Sequence, residues 1–431
     1  MKKLQAVGRQ AVLASVILAM FFSFTAIDGW AAAEDSAKYV WKVGTLAPKG
    51  IGWSKQVEEI LLPAIANASN GQVRLKVFWG GAIGDDASYI KKMKIGQLQA
   101  AGLSGQGARL ASPEFGVVEL PFLFRNYDEV DYIRDRMIHT FDYYFAQRGL
   151  KLAFWIDQDF DQLYSSKSPL ATLDDFKGMR FVTWYGPIEK ALFEALGAQT
   201  VPLDVPQIAS SWRAGAFDGG ISPAIWMVGS QLYNVVRYVN TIKIRYSPAV
   251  IVVTLKAWDG IPASFRDAIW DQRDSITRRF TEGTRRDNQK SLAAMTSYGV
   301  KETVMTSANL AKLKARAMTV YDALADKEYP SDLLDELSRY LQAYRAGKSE
   351  PAEPEWKAKS RGDTKQAAWQ ERRREVSQVQ GRLKSLGYYA GAVDGVMGPI
   401  SYDAVRRYQK DKGLRVTGAV DKPLMDSLGI K

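Results

Sequence analysis

Residues suited to nucleophilic or acid–base catalysis are scarce in this sequence. It has no cysteine and one histidine, His139. Thiol nucleophiles, disulfides and cysteine metal sites are therefore excluded, and zinc or serine–histidine chemistry would depend on a single imidazole. His139 lies in a helical-looking segment and is predicted to be a surface or packing residue, and no Gly-x-Ser-x-Gly motif occurs. We predict that the protein is not an enzyme and uses no cofactor or metal.

A glycine-rich turn at residues 80–86 is the clearest local motif of the larger part. It follows a predicted strand and precedes a predicted helix. Its aspartates, Asp85 and Asp86, would cap that helix or coordinate a cation, and capping is the commoner role. Because no Gly-Lys-Ser/Thr follows, a P-loop is excluded.

Strand and helix patterns alternate through the first three quarters of the chain. Residues 39–44 have a strand pattern, Val57, Ile60, Leu61 and Ile65 have helical spacing, and residues 72–78 alternate between polar and apolar. This order predicts a parallel α/β sheet. Further strands are predicted at 151–156, 179–182, 200–203, 241–246 and 249–255, before a mostly helical stretch from 263 to about 341. Two α/β lobes with connections crossing between them are the natural interpretation.

The N-terminus has the layout of a secretory signal. Lys2, Lys3 and Arg9 precede an uncharged, mostly apolar stretch from 11 to 27, and three alanines at 31–33 are typical of a cleavage site. Residues 1–33 are therefore predicted to be a signal peptide of a periplasmic protein. An uncleaved membrane anchor is the alternative, because the apolar run approaches the length of a short spanning helix.

The net charge also bears on the partners of the protein. The whole chain carries +11. Removing three basic residues and Asp28 with the signal peptide leaves +9 for the mature chain. The basic residues are interspersed with acids rather than gathered in one stripe, which disfavours nucleic acid as a partner. Anionic polymers of the cell envelope are the more plausible partners of an exported basic protein.

The composition changes abruptly after residue 346. Residues 347–375 are polar, proline-bearing and then densely charged, so they are predicted to be a linker or a helical spacer. In residues 376–431, Val376, Val379, Leu383 and Leu386 predict an amphipathic helix that Gly387 stops. A glycine-rich loop and two further short helices follow. The prediction is a small all-α module of three helices.

This module resembles the peptidoglycan-binding domain that is common in bacterial wall enzymes. The resemblance rests on Gln380 and Leu383, Leu-Gly-Tyr-Tyr at 386–389, Val-Asp-Gly at 393–395 with Gly398, Ala-Val at 404–405 with Tyr-Gln at 408–409, and Gly-Leu at 413–414 with Gly418. It implies peptidoglycan as a partner. The residues carried over from the family's motif are Tyr388, Asp394, Gly395, Gly398 and Gln409. Each of the last four, taken singly, is more commonly a builder of the fold than a contact to sugar.

The larger part, residues 34–346, contains a stretch from about Val40 to Leu324 that resembles the solute-binding proteins of tripartite ATP-independent periplasmic (TRAP) transporters. Six segments carry the resemblance: Gly-Ala-Ile-Gly-Asp at 81–85, Gly-Gln-Leu at 96–98, Glu-Leu-Pro-Phe-Leu-Phe at 119–124, Leu-Asp-Asp-Phe-Lys-Gly-Met at 173–179, Ala-Leu-Gly-Ala at 195–198 and Gly-Ala-Phe-Asp-Gly at 215–219. The family implies two α/β lobes around a hinged cleft that closes on a small ligand, usually an organic acid, and delivers it to a membrane permease.

The sequence departs from this family where a ligand carboxylate is usually bound. The family's arginine, four residues after the glycine of its Lys-Gly motif, is Val182 here. Arg180 lies two residues earlier and would replace it if a regular strand put both on one face. Another position that is often basic corresponds to Asp161, and Ile221-Ser222 replaces the family's acid–asparagine pair.

Two ligand classes therefore stay open. Either Arg180 binds the carboxylate of an ordinary organic acid, or the ligand is atypical and its ring, sugar or positive charge contacts aromatic residues, with Asp161 aiding a cation. Aromatic residues at these spacings are also common in protein cores. The sequence slightly favours the atypical ligand. The residues predicted to bind it are Trp53, Ser104, Phe160, Asp161, Tyr164, Arg180, Trp184, Tyr185, Ser222 and Trp226.

We therefore expect a non-catalytic receptor for a small solute that delivers its ligand to a TRAP permease and is tethered to the wall by its C-terminal module. Two alternatives from other classes remain. One is a peptidoglycan-acting enzyme that uses paired carboxylates, since wall-binding modules commonly accompany hydrolases. The other is a structural or sensory envelope protein without a transport function.

Overall fold

A computed structural model describes residues 37–50, 52–347, 365–393, 395, 399–414, 416 and 420–430. The predicted signal peptide, most of the predicted linker, and Asp394 and Gly398 of the C-terminal motif lie outside these residues. No helix among the described residues is long and apolar enough to cross a membrane.

One mixed β-sheet organises the described part of the larger region. Its strands pair in the order β2-β1-β3-β8-β4-β7-β5-β6, and β9 pairs with β8. Strands β1, β2 and β3 are parallel to each other, as are β5, β6 and β7. The bounds are β1 (Tyr39–Thr45), β2 (Val73–Phe78), β3 (Ala100–Ser104), β4 (Leu150–Ser165), β5 (Arg180–Thr183), β6 (Gln199–Pro202), β7 (Gly219–Ser222), β8 (Tyr238–Thr254) and β9 (Lys301–Glu302).

Strands β4 and β8 join the two parallel groups into two lobes. They are antiparallel neighbours of 16 and 17 residues, so each is long enough to extend from one lobe into the other. The β3 strand pairs with one end of β8, and β7 pairs with the opposite end of β4. The predicted two-lobed α/β fold is confirmed. The crossing strands are the natural place for a hinge.

The sequence pattern divided β8 wrongly into two runs, 241–246 and 249–255. The structure has one strand that continues through Pro248. Proline lacks the N–H that a central strand normally donates, and it is tolerated at irregular positions. Pro248 pairs with Asp157, and the register shifts between Asp157 and Asp159, where Asp159 has φ +121°. The proline therefore lies next to a bulge in the partner strand.

Helices cover both faces of the sheet. In the first lobe the helix at residues 53–68 has a π-helical turn (Val57–Leu61) between α1 (Trp53–Gln56) and α2 (Leu62–Ala68). The remaining helices of the larger region are α3 (Asp86–Lys94), α4 (Gly105–Ala111), α5 (Tyr127–Ala146), α6 (Pro187–Ala195), α7 (Val205–Arg213), α8 (Ala224–Gly229), α9 (Leu255–Asp259), α10 (Ala263–Asp271), α11 (Arg273–Ser297), α12 (Ser307–Met318), α13 (Val320–Leu324) and α14 (Ser331–Arg345).

A network of ion pairs fixes α11 against the bulged part of β4. Arg285 of α11 binds Asp131 of α5 at 2.6 Å and Asp157 of β4 at 2.6 Å. Arg134 of α5 also pairs with Asp157. The Tyr246 hydroxyl donates a further hydrogen bond to Asp157 at 2.6 Å. These contacts join two helices to the centre of the crossing strands.

The C-terminal region folds as the predicted small helical module. Its helices are α15 (Lys365–Ser385), α16 (Pro399–Asp411) and α17 (Lys422–Leu428). They enclose a core of their own, which includes Val379, Leu383, Val405, Tyr408 and Leu424. A separate core is what an independently folding module requires.

Candidate functional site

A small cavity lies where the two lobes meet, at the ends of several strands. Thr45 ends β1, Ser104 ends β3, and Trp184 follows the last residue of β5. Ligands of open α/β sheets bind at such carboxyl ends of strands. The cavity has a volume of about 70 Å³ and is lined by Thr45, Leu46, Ala47, Trp53, Val57, Gly102, Leu103, Ser104, Ile156, Gln158, Trp184, Val205, Trp226, Ala249, Val250, Ile251 and Phe280.

Two tryptophans from opposite lobes separate this inner cavity from an outer pocket. Trp53 begins α1 of the first lobe, and Trp226 lies in α8 of the second. Both also line the outer pocket of about 240 Å³, together with Asp287 and Lys290 of α11. Both side chains therefore lie between the two cavities.

A stack of aromatic rings leads from the inner cavity to a buried arginine. The ring centres of Trp226 and Trp184 lie 5.8 Å apart, with an interplanar angle of 22°. The ring centres of Trp184 and Tyr185 lie 3.5 Å apart. The guanidinium carbon of Arg245 lies 3.7 Å from the centre of the Tyr185 ring, within the range of a cation–π contact.

Arg245 is buried and paired with two acids. Its Nε donates to Asp161 at 2.7 Å, and one Nη donates to Glu119 at 3.0 Å. Burial raises the pKa of Asp161 to about 6, and the positive charge of Arg245 opposes that rise. Asp161 is therefore ionised at neutral pH and balances the charge of the arginine.

A second polar group supports the cavity behind Ser104. The Ser104 hydroxyl donates to Asp86, and it also accepts the N–H of Gly107 at 3.3 Å. Burial raises the pKa of Asp86 to about 6. Gly107 allows this arrangement, because a Cβ there would lie 2.6 Å from the carboxyl carbon of Asp86. Asp86 is the first residue of α3, which Asp85 caps as predicted by accepting the N–H of Ser88 at 2.8 Å.

Glu189 lies behind the aromatic wall. One of its oxygens accepts the backbone N–H groups of Trp184 and Tyr185, each at 2.8 Å. Its other oxygen has no hydrogen-bond partner among the described residues. Burial raises the pKa of Glu189 to about 8, so this carboxyl is largely protonated at neutral pH.

Four of the ten predicted ligand residues line the inner cavity: Trp53, Ser104, Trp184 and Trp226. Two others, Asp161 and Tyr185, belong to the buried Arg245 cluster. Phe160 packs against Tyr127 and Tyr246, with ring centres 5.3 and 5.8 Å away.

Three further predicted residues do not reach the inner cavity. Tyr164 is buried and donates to Gln162 at 3.3 Å, and the hydroxyl of Ser222 contacts the carbonyl of Pro223. Arg180 binds Asp218 at 2.9 Å and the carbonyl oxygens of Ala216 and Gly215 at 2.8 and 3.0 Å.

The position expected to carry the family's arginine is also closed. Val182 is buried in the core of the second lobe, and a Cβ on Gly220 would lie 2.8 Å from a Val182 methyl group. His139, in contrast, is exposed on α5, with its ring 5.9 Å from Trp270. It lies outside the cavity, as predicted for a surface or packing residue.

Sequence reasoning missed Arg245, Glu189 and Gln158. Arg245 had no distinctive signal, because the run at 241–247 alternates polar and apolar residues and also carries Lys243. Glu189 follows Pro187 at the start of a predicted helix, where an acid is usually explained by the helix dipole. Gln158 had no signal, because its position depends on the bulge in β4.

The fold, with two lobes and a cavity between them, is that of periplasmic solute-binding proteins. The profile of the bacterial extracellular solute-binding protein family 7 matches residues 44–328, and the chain belongs to this family of TRAP-type receptors. The profile of a peptidoglycan binding domain matches residues 372–428. The predicted family and the predicted C-terminal module are both confirmed.

Curated relatives and solved structures agree with this assignment. The C4-dicarboxylate-binding periplasmic protein of Rhodobacter capsulatus is 25% identical, covering 65% of this chain and 83% of the relative. The 2,3-diketo-L-gulonate-binding periplasmic protein of Escherichia coli is 22% identical, covering 54% and 71%. The sugar acid binding protein of Advenella mimigardefordensis, solved with galactonate, has a TM-score of 0.67 at 20% identity and covers 72% of this chain and 99% of its own.

Proposed function

We propose that this protein is an exported receptor that captures a small organic ligand between its lobes and delivers it to the membrane subunits of a TRAP transporter. Its C-terminal module would hold it to peptidoglycan. Residues 1–33 would direct export and be removed, which places the receptor in the periplasm. We propose no catalytic step, because the family consists of transport receptors rather than enzymes.

The inner cavity is the observation that carries this proposal. It is enclosed by side chains of both lobes, so a ligand inside it contacts both and favours the closed arrangement over an open one. Opening requires the central strands to bend, and the bulge beside Asp159 gives the paired strands an irregular point at which to do so.

The ligands named for solved relatives support a small organic molecule as the cargo. Those structures contain galactonate in the Advenella mimigardefordensis protein and L-gulonate in a Haemophilus influenzae protein, which has a TM-score of 0.65 at 18% identity and is covered over its full length. Both ligands are compact and polar. The cavity of about 70 Å³ and the neighbouring pocket of about 240 Å³, which share Trp53 and Trp226, are of that order of size.

The tether is supported by the separate core of the C-terminal module. Gln380 of α15 is buried and accepts the N–H of Gly395, so these two residues shape the glycine-rich loop. Tyr388 is more accessible than they are, and its hydroxyl donates to Asp411 at 3.0 Å. We propose that the module binds peptidoglycan, with Tyr388 on its contact surface.

Two measurements on the purified mature protein test the proposal. Thermal-shift screening against small organic solutes should raise the melting temperature, because a ligand that binds only the folded protein stabilises it. Wall sedimentation should pellet the full-length protein and leave a variant that lacks residues 376–431 in solution. Clearing of purified wall in a zymogram would instead reveal an enzyme, and neither ligand binding nor clearing would leave a structural role.

A further inference from the structure

We propose that the inter-lobe cavity of this receptor takes a small organic cation, such as a protonated amine or a quaternary ammonium, in preference to a carboxylate. This inference rests on the receptor function proposed above and names the chemical class of its ligand. The class differs from the acids named for the solved relatives, and it follows from the side chains that surround the cavity.

The cavity presents aromatic faces and no positive charge. Trp53, Trp184 and Trp226 contribute three indoles to its lining, and none of its described lining residues is lysine or arginine. Indole is the aromatic group that binds cations best, and a cation near several indole faces replaces part of its lost hydration. An ionised carboxylate placed there would have no opposite charge in contact with it.

The buried arginine near this site does not supply the missing charge. Arg245 lies behind the ring of Tyr185 and is paired with Asp161 and Glu119, at 2.7 and 3.0 Å. A ligand carboxylate would have to displace one of these acids and leave it buried and unpaired. Arg180 is similarly engaged by Asp218.

Negative charge, in contrast, is available behind the cavity wall. Asp86, which accepts the hydroxyl of Ser104, supplies it, whereas Glu189 behind Trp184 is largely protonated and Asp161 is paired with Arg245. Each of these buried carboxyl groups has one oxygen without a hydrogen-bond partner among the described residues. Burial raises the pKa of Asp86 to about 6, and no nearby positive charge in the described part of the chain offsets that burial. A bound cation would offset it.

An unpartnered donor indicates a second feature of the ligand. The indole Nε1 of Trp53 is buried and makes no hydrogen bond to a described residue, although Trp53 lines both cavities. Buried N–H groups normally have an acceptor. A ligand that carries a hydroxyl or carbonyl oxygen beside its positive charge would provide one.

Three probes of the same shape separate the effect of charge from that of size. Choline is the cation, 3,3-dimethyl-1-butanol is its uncharged counterpart, and 3,3-dimethylbutyrate is the corresponding anion. Each would be titrated into the mature full-length protein while melting temperature and tryptophan fluorescence are recorded. We expect choline to bind at least about tenfold more tightly than the alcohol, and the anion to bind weakest.

The small molecule that co-purifies with the protein should also be released by denaturation and identified by mass spectrometry. A carboxylate in the cleft, or equal binding of the three probes, would overturn the cation inference while the receptor function stands. If no probe binds and no small molecule is released, both the inference and the receptor function fail. A released cation supports both.

Two variants tie the preference to the named residues. Asp86→Asn retains an acceptor for Ser104 but removes the charge, so it should weaken choline binding and leave binding of the alcohol unchanged. Trp226→Leu should weaken choline more than the alcohol. Asp174→Asn and Trp270→Leu are the matched controls, because neither residue lines the two cavities. Equal loss of choline and alcohol binding in Asp86→Asn would contradict the electrostatic role of Asp86.

Discussion

The guanidinium of Arg245 and the carboxylate of Asp161 form a buried pair between the two long strands that cross the protein. The residues face each other in the register of β8 and β4, and Nε of Arg245 lies 2.7 Å from Asp161. Glu119, from the segment that precedes α5, is the second acid in contact with Arg245, at 3.0 Å. The pair therefore links the strands at the junction of the lobes.

We expect Arg245→Met to destabilise the protein strongly, because it leaves Asp161 and Glu119 buried without a positive charge. Removal of one partner from a buried ion pair typically costs about 3–5 kcal/mol. The free energy of unfolding should be measured by denaturant titration at pH 7. Arg266→Met is a comparison variant, since Arg266 is also buried but pairs with a single, less buried acid, Asp259. Equal losses in the two variants would contradict the special position of Arg245.

A second prediction concerns Arg180, which the sequence offered as the carboxylate-binding residue. Its guanidinium is held by Asp218 and by the carbonyl oxygens of Gly215 and Ala216, which lie just before Asp218 in the chain. We expect Arg180→Ala to leave ligand affinity unchanged in calorimetric titration and to destabilise the protein less than Arg245→Met does. A loss of binding by the folded Arg180→Ala variant would restore the ordinary organic-acid hypothesis.

The contrast between Arg180 and Arg245 shows where sequence reasoning succeeds and where it stops. The order of strands and helices is local information, and it predicted the two lobes. The cavity's tryptophans were predicted from the family resemblance. Register in a bulged strand is not local. Arg245 and Asp161 are 84 residues apart and meet only because β4 and β8 pair with three register shifts. No spacing rule places them together.

The same limit applies to side chains that point in unexpected directions. Phe160 and Tyr164 were predicted in the cleft because they lie in segments that line the cleft in the resembling family, but the alternation of β4 and its irregularities place them in packed regions. Ser104 shows the reverse case. The prediction placed it in the site, but only the structure reveals Asp86 behind it, bound to the same hydroxyl.

A third prediction concerns the pH dependence of stability. The pKa of Glu189 is raised by burial from its ordinary value near 4.5 to about 8, so the folded protein holds this proton more tightly than the unfolded chain does. The stabilisation that comes from holding this proton is fully present at low pH. It is lost as the pH rises from about 4.5 to about 8. Glu189→Gln keeps an oxygen for the N–H groups of Trp184 and Tyr185 and cannot ionise.

We therefore expect the Gln variant to gain stability relative to the wild-type protein between about pH 5 and pH 8, on the order of 1 kcal/mol per pH unit. Urea titrations at several pH values would measure the difference. Glu194→Gln, an exposed substitution on the same helix, is the control. A constant difference between Glu189→Gln and wild type across this range would contradict a raised pKa for Glu189.

The last prediction separates the two modules. Gln380 is buried in α15, donates to Ser401 at 3.1 Å and accepts the N–H of Gly395 at 2.8 Å. We expect Gln380→Ala to destabilise the C-terminal module by about 1–3 kcal/mol, because that buried N–H loses its acceptor. The fraction of the protein that sediments with purified wall should fall as the module is destabilised.

Because the core of the receptor region is separate from that of the C-terminal module, the ligand-dependent thermal shift of the receptor region should persist in Gln380→Ala. Gln378→Ala, on the same helix but outside the buried set, provides the matched control. If Gln380→Ala abolished ligand binding as well as wall binding, the two modules would depend on each other for folding, and a simple tether would be the wrong description of the C-terminal module. Retained ligand binding with lost sedimentation would show that capture and attachment are separable.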